Sequence, residues 1–230
     1  MTERSDAAGP VTRRGLFLTF EGLDGTGKTT QMHLLAGRLR ALGYEVLETV
    51  EPGGTSVGGQ IRRILLDAAN QELCPTAEML LYFASRAQNV EERILPALAR
   101  GAIMLSDRFT DSTMAYQGYG RGLGEQAVLE LDRIACRGLV PDLTLLIDID
   151  PETSLARARS RNLEAAGSQT RMDEQAAEFY RKVGDAYALM AAREPRRFRL
   201  IDGRADADTV ALRVWEAVRP IISDRSESGG

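Results

Sequence analysis

The segment EGLDGTGKTT, residues 21–30, sets Gly22, Gly27, Lys28 and Thr29 at the G-x-x-x-x-G-K-[ST] spacing of a phosphate-binding loop. Lys28 is one of two lysines in a chain that carries 27 arginines. Where arginine has otherwise displaced lysine, a retained lysine points to a need for a compact ammonium on a flexible stem, because a guanidinium is planar and binds as a rigid fork. Gly22, Gly25 and Gly27 permit a tight backbone whose N–H groups face phosphate oxygens, and the N-terminus of the following helix adds a favourable dipole. The nucleotide-binding candidates are therefore Gly22, Leu23, Asp24, Gly25, Thr26, Gly27, Lys28, Thr29 and Thr30. Lys28 is expected to reach the outer phosphates of a nucleoside triphosphate and Thr29 to offer its hydroxyl to Mg²⁺. A glycine-rich turn that binds nothing is the competing reading, and the strand–loop–helix setting argues against it.

Asp107 closes the apolar run 102–106, where a carboxylate can hold a metal's water shell. A strand-end Asp is as readily a turn residue; the loop makes this one a second metal-side candidate. Downstream of the loop there is neither an N-K-x-D guanine-recognition segment nor a D-x-x-G switch, which counts against a GTPase. Arg108 stands where a motor or transporter ATPase usually carries an acid. The single histidine, His33, lies on the first helix about one turn after Thr29; it is a base candidate by type, but a structural helix residue is the favoured reading.

Elements that could position these groups follow from periodicity. Apolar runs at 16–20, 102–105, 143–149 and 198–201, with a shorter one at 45–50, read as buried strands. Helical patterns fill 28–42, 57–66, 76–100, 125–137, 151–161, 174–193 and 207–218, with Pro96 expected to kink or divide the third. Alternating strands and helices imply an α/β fold, a parallel sheet covered on both faces with ligands at the strands' carboxyl ends.

With 230 residues, 43% hydrophobic and 27% charged, one domain over 15–222 is expected. Polar extensions at 1–14 and 223–230 are expected to be disordered. A net charge of −4 argues against a general nucleic-acid binder. No apolar run approaches the roughly 18–20 residues of a membrane span, and the N-terminus lacks a secretory h-region. Cys74 and Cys136 have neither C-x-x-C nor metal-ligand spacing, so buried free thiols are expected. A cytoplasmic setting is the expectation.

Taken in order, EGLDGTGKTT, EPGGT (51–55), IRRILLD (61–67), LLYFASRAQNV (80–90), SDRFTDSTMAYQGYGRGL (106–123), PDLTLLIDI (141–149) and an arginine-rich stretch from 157 to 171 resemble thymidylate kinase of the bacterial type over nearly all of 15–220. DRFTDSTMAYQG is the most specific of these. The resemblance implies a P-loop NTPase-type, three-layer fold with a five-stranded parallel sheet and a short mobile lid at about 157–172. It implies ATP- and Mg²⁺-dependent phosphorylation of dTMP to dTDP, and a homodimer. Carried over residue by residue, Arg86 and Arg108 hold the acceptor's 5′-phosphate, with Arg62 near it. Tyr82 stacks on thymine, Asp24 takes the deoxyribose 3′-hydroxyl, and Thr113, Tyr116 and Gln117 line the base and sugar side. Glu51 belongs to the same pocket. The phosphate loop contains no arginine, so the charge on the transferring group is expected from the lid, with Arg157, Arg161 and Arg171 as candidates and Arg159 less favoured.

The sequence departs from the family pattern at Val50, where arginine is common, at Asn89, where histidine is common, and at Met172-Asp173-Glu174 after the lid arginine. The alternatives to a thymidylate kinase are a kinase for another nucleoside or monophosphate, for which Asp24 could serve as base, and a non-catalytic ATP-binding sensor.

Overall fold

The computed structural model describes residues 14–164 and 177–227, apart from the side chains of 158, 159, 161–164 and 225–227. The five apolar runs form strands β1 (Leu16–Glu21), β2 (Val46–Val50), β3 (Ile103–Asp107), β4 (Leu143–Asp148) and β5 (Phe198–Asp202). All pair in parallel in the order β2-β3-β1-β4-β5. Alternate residues of the central strand feed two cores. Leu18 and Phe20 pack with Leu35 and Leu39 of α1 (Lys28–Ala41) and with Val214 and Val218 of α9 (Ala207–Glu227). Phe17 faces the other way, into a core built from α3 (Pro75–Asn89), α4 (Leu95–Ala99), α6 (Glu125–Ala135) and α8 (Ala177–Arg193) through Phe83, Leu98, Val128 and Tyr180. Helices α2 (Ser56–Leu66), α5 (Thr110–Thr113) and α7 (Pro151–Glu164) complete the described chain.

The chain leaves β1 towards β2 over one face and leaves β3 towards β4 over the other. The crevice between β1 and β3 is thus the switch point at which such sheets bind ligands. In register Phe20 lies beside Asp107, and Asp107 beside Val50, so the phosphate loop and the Asp107-Arg108 pair emerge together.

Three differences from the periodicity reading stand out. The helix expected over 76–100 is divided by a π-helical segment, Val90–Ile94, just ahead of Pro96, whose missing N–H cannot donate to the Glu92 carbonyl. Helical structure also covers 110–120, as α5 followed by a π-helical segment Met114–Gly120, where no helical period is evident. Tertiary burial of Met114, Ala115 and Tyr116 holds it there. The last helix runs on through Pro220 to Glu227, past residue 218 where its pattern ends, and Ile222 in this added stretch is buried in the α1–α9 core.

Candidate active site

The phosphate loop folds as its glycines require. A Cβ on Gly22, at φ 131°, would sit 2.4 Å from the Ile147 carbonyl oxygen. Gly27 caps α1 in the left-handed region at φ 91°, and nothing lies within 4 Å of where its Cβ would be, so this side of the loop is open to a ligand. Lys28 is buried and donates to the Leu23 carbonyl oxygen at 2.6 Å. Burial and the nearby Arg108 bring its pKa down to about 8, against the pull of Asp107, Asp24 and Glu21. The Thr29 hydroxyl hydrogen-bonds the Asp107 carboxylate, while Thr30 is exposed.

A second cluster surrounds Arg108, which sits on a left-handed backbone at φ 73°, a strained choice for a non-glycine residue. Its Nη2 donates to Asp24 at 2.6 Å and to the Tyr116 hydroxyl at 3.2 Å; its Nη1 donates to Ser112 at 2.8 Å. The Tyr116 hydroxyl donates in turn to Asp24 at 3.1 Å. The low-polarity surroundings push the Asp24 pKa up, but Arg108, Lys28 and the hydrogen bonds outweigh them and hold it at about 2.

A third cluster is fully buried. Arg86 Nε donates to Glu51 at 2.6 Å, Arg86 Nη2 donates to Thr113 at 2.9 Å, and Asn89 donates to Glu51 at 3.0 Å. Burial raises the Glu51 pKa, and Arg86 opposes that rise. The Arg86 Nη1 atom is buried with no hydrogen-bond partner among the described residues, a donor left for a ligand. Asn89 takes a central place here, also accepting from Thr49 at 3.0 Å. Beside Val50, Arg93 donates to the carbonyl oxygens of Gly54 and Glu48.

The remaining candidates are distributed around these clusters. Arg62 donates to the Pro52 carbonyl at 2.8 Å. Tyr82, half-buried, stands one turn before Arg86 on α3. Gln117 donates to the buried Glu78 at 2.8 Å, and Arg121 pairs with the same carboxylate. Arg157 is exposed on α7. The side chains of Arg159 and Arg161, and all of Arg171, lie outside the described residues, as does most of the expected lid. His33 pairs with Glu48 of β2 on the exposed outer side of α1, a structural contact.

Several contributors carry no local motif. Glu21, the last residue of β1, is buried and accepts from Phe109 N at 2.7 Å, Ser112 Oγ at 2.5 Å and the Tyr187 hydroxyl at 3.0 Å. Burial and the neighbouring Asp111 raise its pKa to about 7. Tyr180 reaches Asp24 at 3.4 Å. A carboxylate closing an otherwise apolar strand was the available signal for Glu21; α8's tyrosines offered none. From Gly22 and Leu23 a groove of about 940 Å³ runs along α8 to Arg204, past the strand ends of β4 and β5.

Oxygen donors dominate the mouth of the loop. Thr29 and Asp107 supply a hydroxyl and a carboxylate side by side, the hard donors Mg²⁺ prefers, although two protein oxygens leave most of its shell to phosphates and water. Among the described residues no group of three or more His, Cys, Asp or Glu side chains is arranged to hold a metal by itself. Also among them, no helix is long and apolar enough to cross a membrane.

Residues 20–212 match the family model described as thymidylate kinase. The thymidylate kinase of Pelobacter propionicus is 49% identical over 198 residues, covering 86% of this chain and 90% of that protein. That of Geobacter sp. strain M21 is 47% identical over 216 residues, covering 94% and 96%. The crystal structure of thymidylate kinase from Ehrlichia chaffeensis superposes with a TM-score of 0.73 at 33% identity, covering 90% of this chain and 99% of that one.

Proposed function

The chain belongs to the thymidylate kinase family and is a phosphotransferase, and from that premise we propose how its site moves the γ-phosphoryl group of ATP to dTMP, giving ADP and dTDP. The observation that supports this reading is the placement of Asp107 and Arg108. One end of β3 gives a carboxylate to the phosphate loop through Thr29 and, with the next residue, a guanidinium to the Asp24–Tyr116 cluster. Donor and acceptor phosphates would therefore meet over a single strand end.

On this reading residues 22–30 cradle the triphosphate, and Lys28 exchanges its Leu23 contact for the outer phosphates. Thr29 and Asp107 would hold Mg²⁺, which neutralises phosphate charge when bound. Arg108 and Arg86 clamp the acceptor's 5′-phosphate, Arg86 through the donor it now leaves unused. Glu51 keeps Arg86 in place, and Arg62 adds charge nearby. Asp24 takes the deoxyribose 3′-hydroxyl, Tyr82 stacks on thymine, and Thr113, Tyr116 and Gln117 line the base and sugar. The second pKa of a phosphate monoester is about 6, so the attacking oxygen is already ionised at neutral pH and no base is needed. Arg157, Arg161 and Arg171 supply the lid charge that the phosphate loop lacks.

The enzyme is proposed to work as a homodimer in the cytoplasm. Ile64, Leu80, Leu129 and Ile134 expose 47–68% of their surface on α2, α3 and α6, a face a second copy would cover. Both cysteines are free thiols, in keeping with a reducing compartment, although only Cys136 is buried as expected and Cys74 is exposed. Initial rates with ATP across all natural nucleoside monophosphates test the substrate assignment. Turnover of another monophosphate with dTMP inert would overturn it; family membership favours neither that nor a sensor without turnover.

A further inference from the structure

Arg108 is strained at its backbone and must aim a guanidinium, yet Asp24 and Tyr116 touch only its outer end. The strained turn is held by the Ser106 hydroxyl, which donates to the Arg108 carbonyl oxygen at 2.6 Å, and by Glu21, which grips the residues around Arg108. The Glu21 carboxylate accepts the N–H of Phe109, the peptide that leaves the left-handed residue, at 2.7 Å. Its other oxygen accepts Ser112 Oγ at 2.5 Å, and Ser112 Oγ accepts from Arg108 Nη1 at 2.8 Å. The Tyr187 hydroxyl of α8 donates to the same carboxylate oxygen at 3.0 Å and contacts Ser112 Oγ at 2.9 Å. One carboxylate thus holds both ends of Arg108, the peptide after it directly and the guanidinium through two hydroxyls, closely through Ser112 and at 3.3 Å through Tyr187.

The position of Glu21 gives this grip a purpose. It is fully buried, ends the central strand and immediately precedes Gly22, so the phosphate loop starts from the same residue that anchors the arginine. A buried carboxylate is costly unless its lone pairs are used, and here three donors converge on it. We propose that Glu21 is a positioning residue for phosphoryl transfer, setting Arg108 relative to the phosphate loop through Phe109 N and Ser112. This rests on the reading that Arg108 holds the acceptor phosphate.

Glu21→Gln keeps the volume and one acceptor but puts a donating amide where the second oxygen accepts, so Phe109 N or the Ser112–Tyr187 pair loses its acceptor. It is expected to raise the KM for dTMP about ten- to a hundredfold, the range for leaving a buried donor without its acceptor, while the KM for ATP stays within about threefold. The discriminating measurement is a double-mutant cycle on kcat/KM for dTMP using Glu21→Gln, Arg108→Ala and both together. Acting through Arg108, Glu21→Gln costs little in the Arg108→Ala background; a merely structural role gives independent, multiplying losses. Ser112→Ala, which removes the shorter bridge and leaves the longer one through Tyr187, is expected to be similarly non-additive with Arg108→Ala and serves if Glu21→Gln does not fold. An unchanged dTMP KM in the folded Glu21→Gln variant, or multiplying losses in the cycle, overturns the proposal. If Arg108→Ala itself leaves the dTMP KM unchanged, the acceptor-phosphate reading fails and takes the proposal with it.

Discussion

Replacing Glu51 by alanine puts a figure on the ionic core of the site. The Glu51 and Arg86 side chains are 2% and 1% exposed and meet at 2.6 Å, so solvent screens the pair very little. Removing the carboxylate leaves a buried guanidinium with a hydrogen bond to the Thr113 hydroxyl and two neighbouring rings, Phe83 and Phe109, but no counter-charge in contact among the described residues, and takes from Asn89 the acceptor of its amide. Breaking such a pair from one side costs about 3–5 kcal/mol. A domain of this size loses about 2–4 °C of melting temperature per kcal/mol, so a fall of about 6–20 °C is expected, read by calorimetry or circular dichroism. The companion variant Glu51→Leu with Arg86→Met replaces both charges by apolar groups; such exchanges are often neutral. It is expected to recover most of the lost stability without recovering dTMP turnover. Glu51→Ala melting within about 2 °C of the wild type would refute the reasoning, because Arg86 would then not be a charge that depends on Glu51.

Other expectations follow from single residues. Lys28→Ala is expected to abolish turnover, and Lys28→Arg to restore little, because the buried ammonium lies 2.6 Å from a carbonyl oxygen and leaves no room for a planar fork; single-turnover rates check both. The Lys28 pKa is lowered to about 8 in the free protein, and phosphates bound beside it favour the charged form. Triphosphate binding between about pH 8 and 10 should therefore take up protons, seen as buffer-dependent heats in calorimetry, and Lys28→Met should remove the dependence. Arg157→Ala, Arg161→Ala and Arg171→Ala are each expected to be tested by kcat against ATP affinity, and the one that meets the transferring group loses about 10³-fold or more in kcat with affinity kept. Leu80→Glu on the exposed face of α3 is expected to shift sedimentation from dimer to monomer.

Sequence made the strands and the phosphate loop legible because both are local. Four apolar residues and one hydroxyl residue closed by Glu21 or Asp107 need no partner to be recognised, and Gly22 and Gly27 declare their backbone by type. The wiring between distant segments was not legible in the same way. Glu21 meets Phe109, Gln117 meets Glu78, and Tyr180 meets Asp24 only after the sheet has formed. Helical structure over 110–120 was hidden for the same reason: it is held by burial against α6 and α8, while its own glycines and threonines argue for a loop. The resemblance supplied Tyr116 and Gln117 where periodicity could not.

The wider turn at Met114–Gly120 has a consequence for how this stretch can change over time. A π-helical turn holds one residue more than an α-helical turn, so it tolerates the sequence length of 107–123 only as it stands. Deleting one residue ahead of Tyr116 slides every later side chain of the segment by one position, a rotation of about 100° about an α-helical axis. Tyr116 and Gln117 would then leave Asp24 and Glu78 together. Substitutions are therefore far easier for this segment to absorb than indels, and its length should be a stricter signature of the fold than most of its letters.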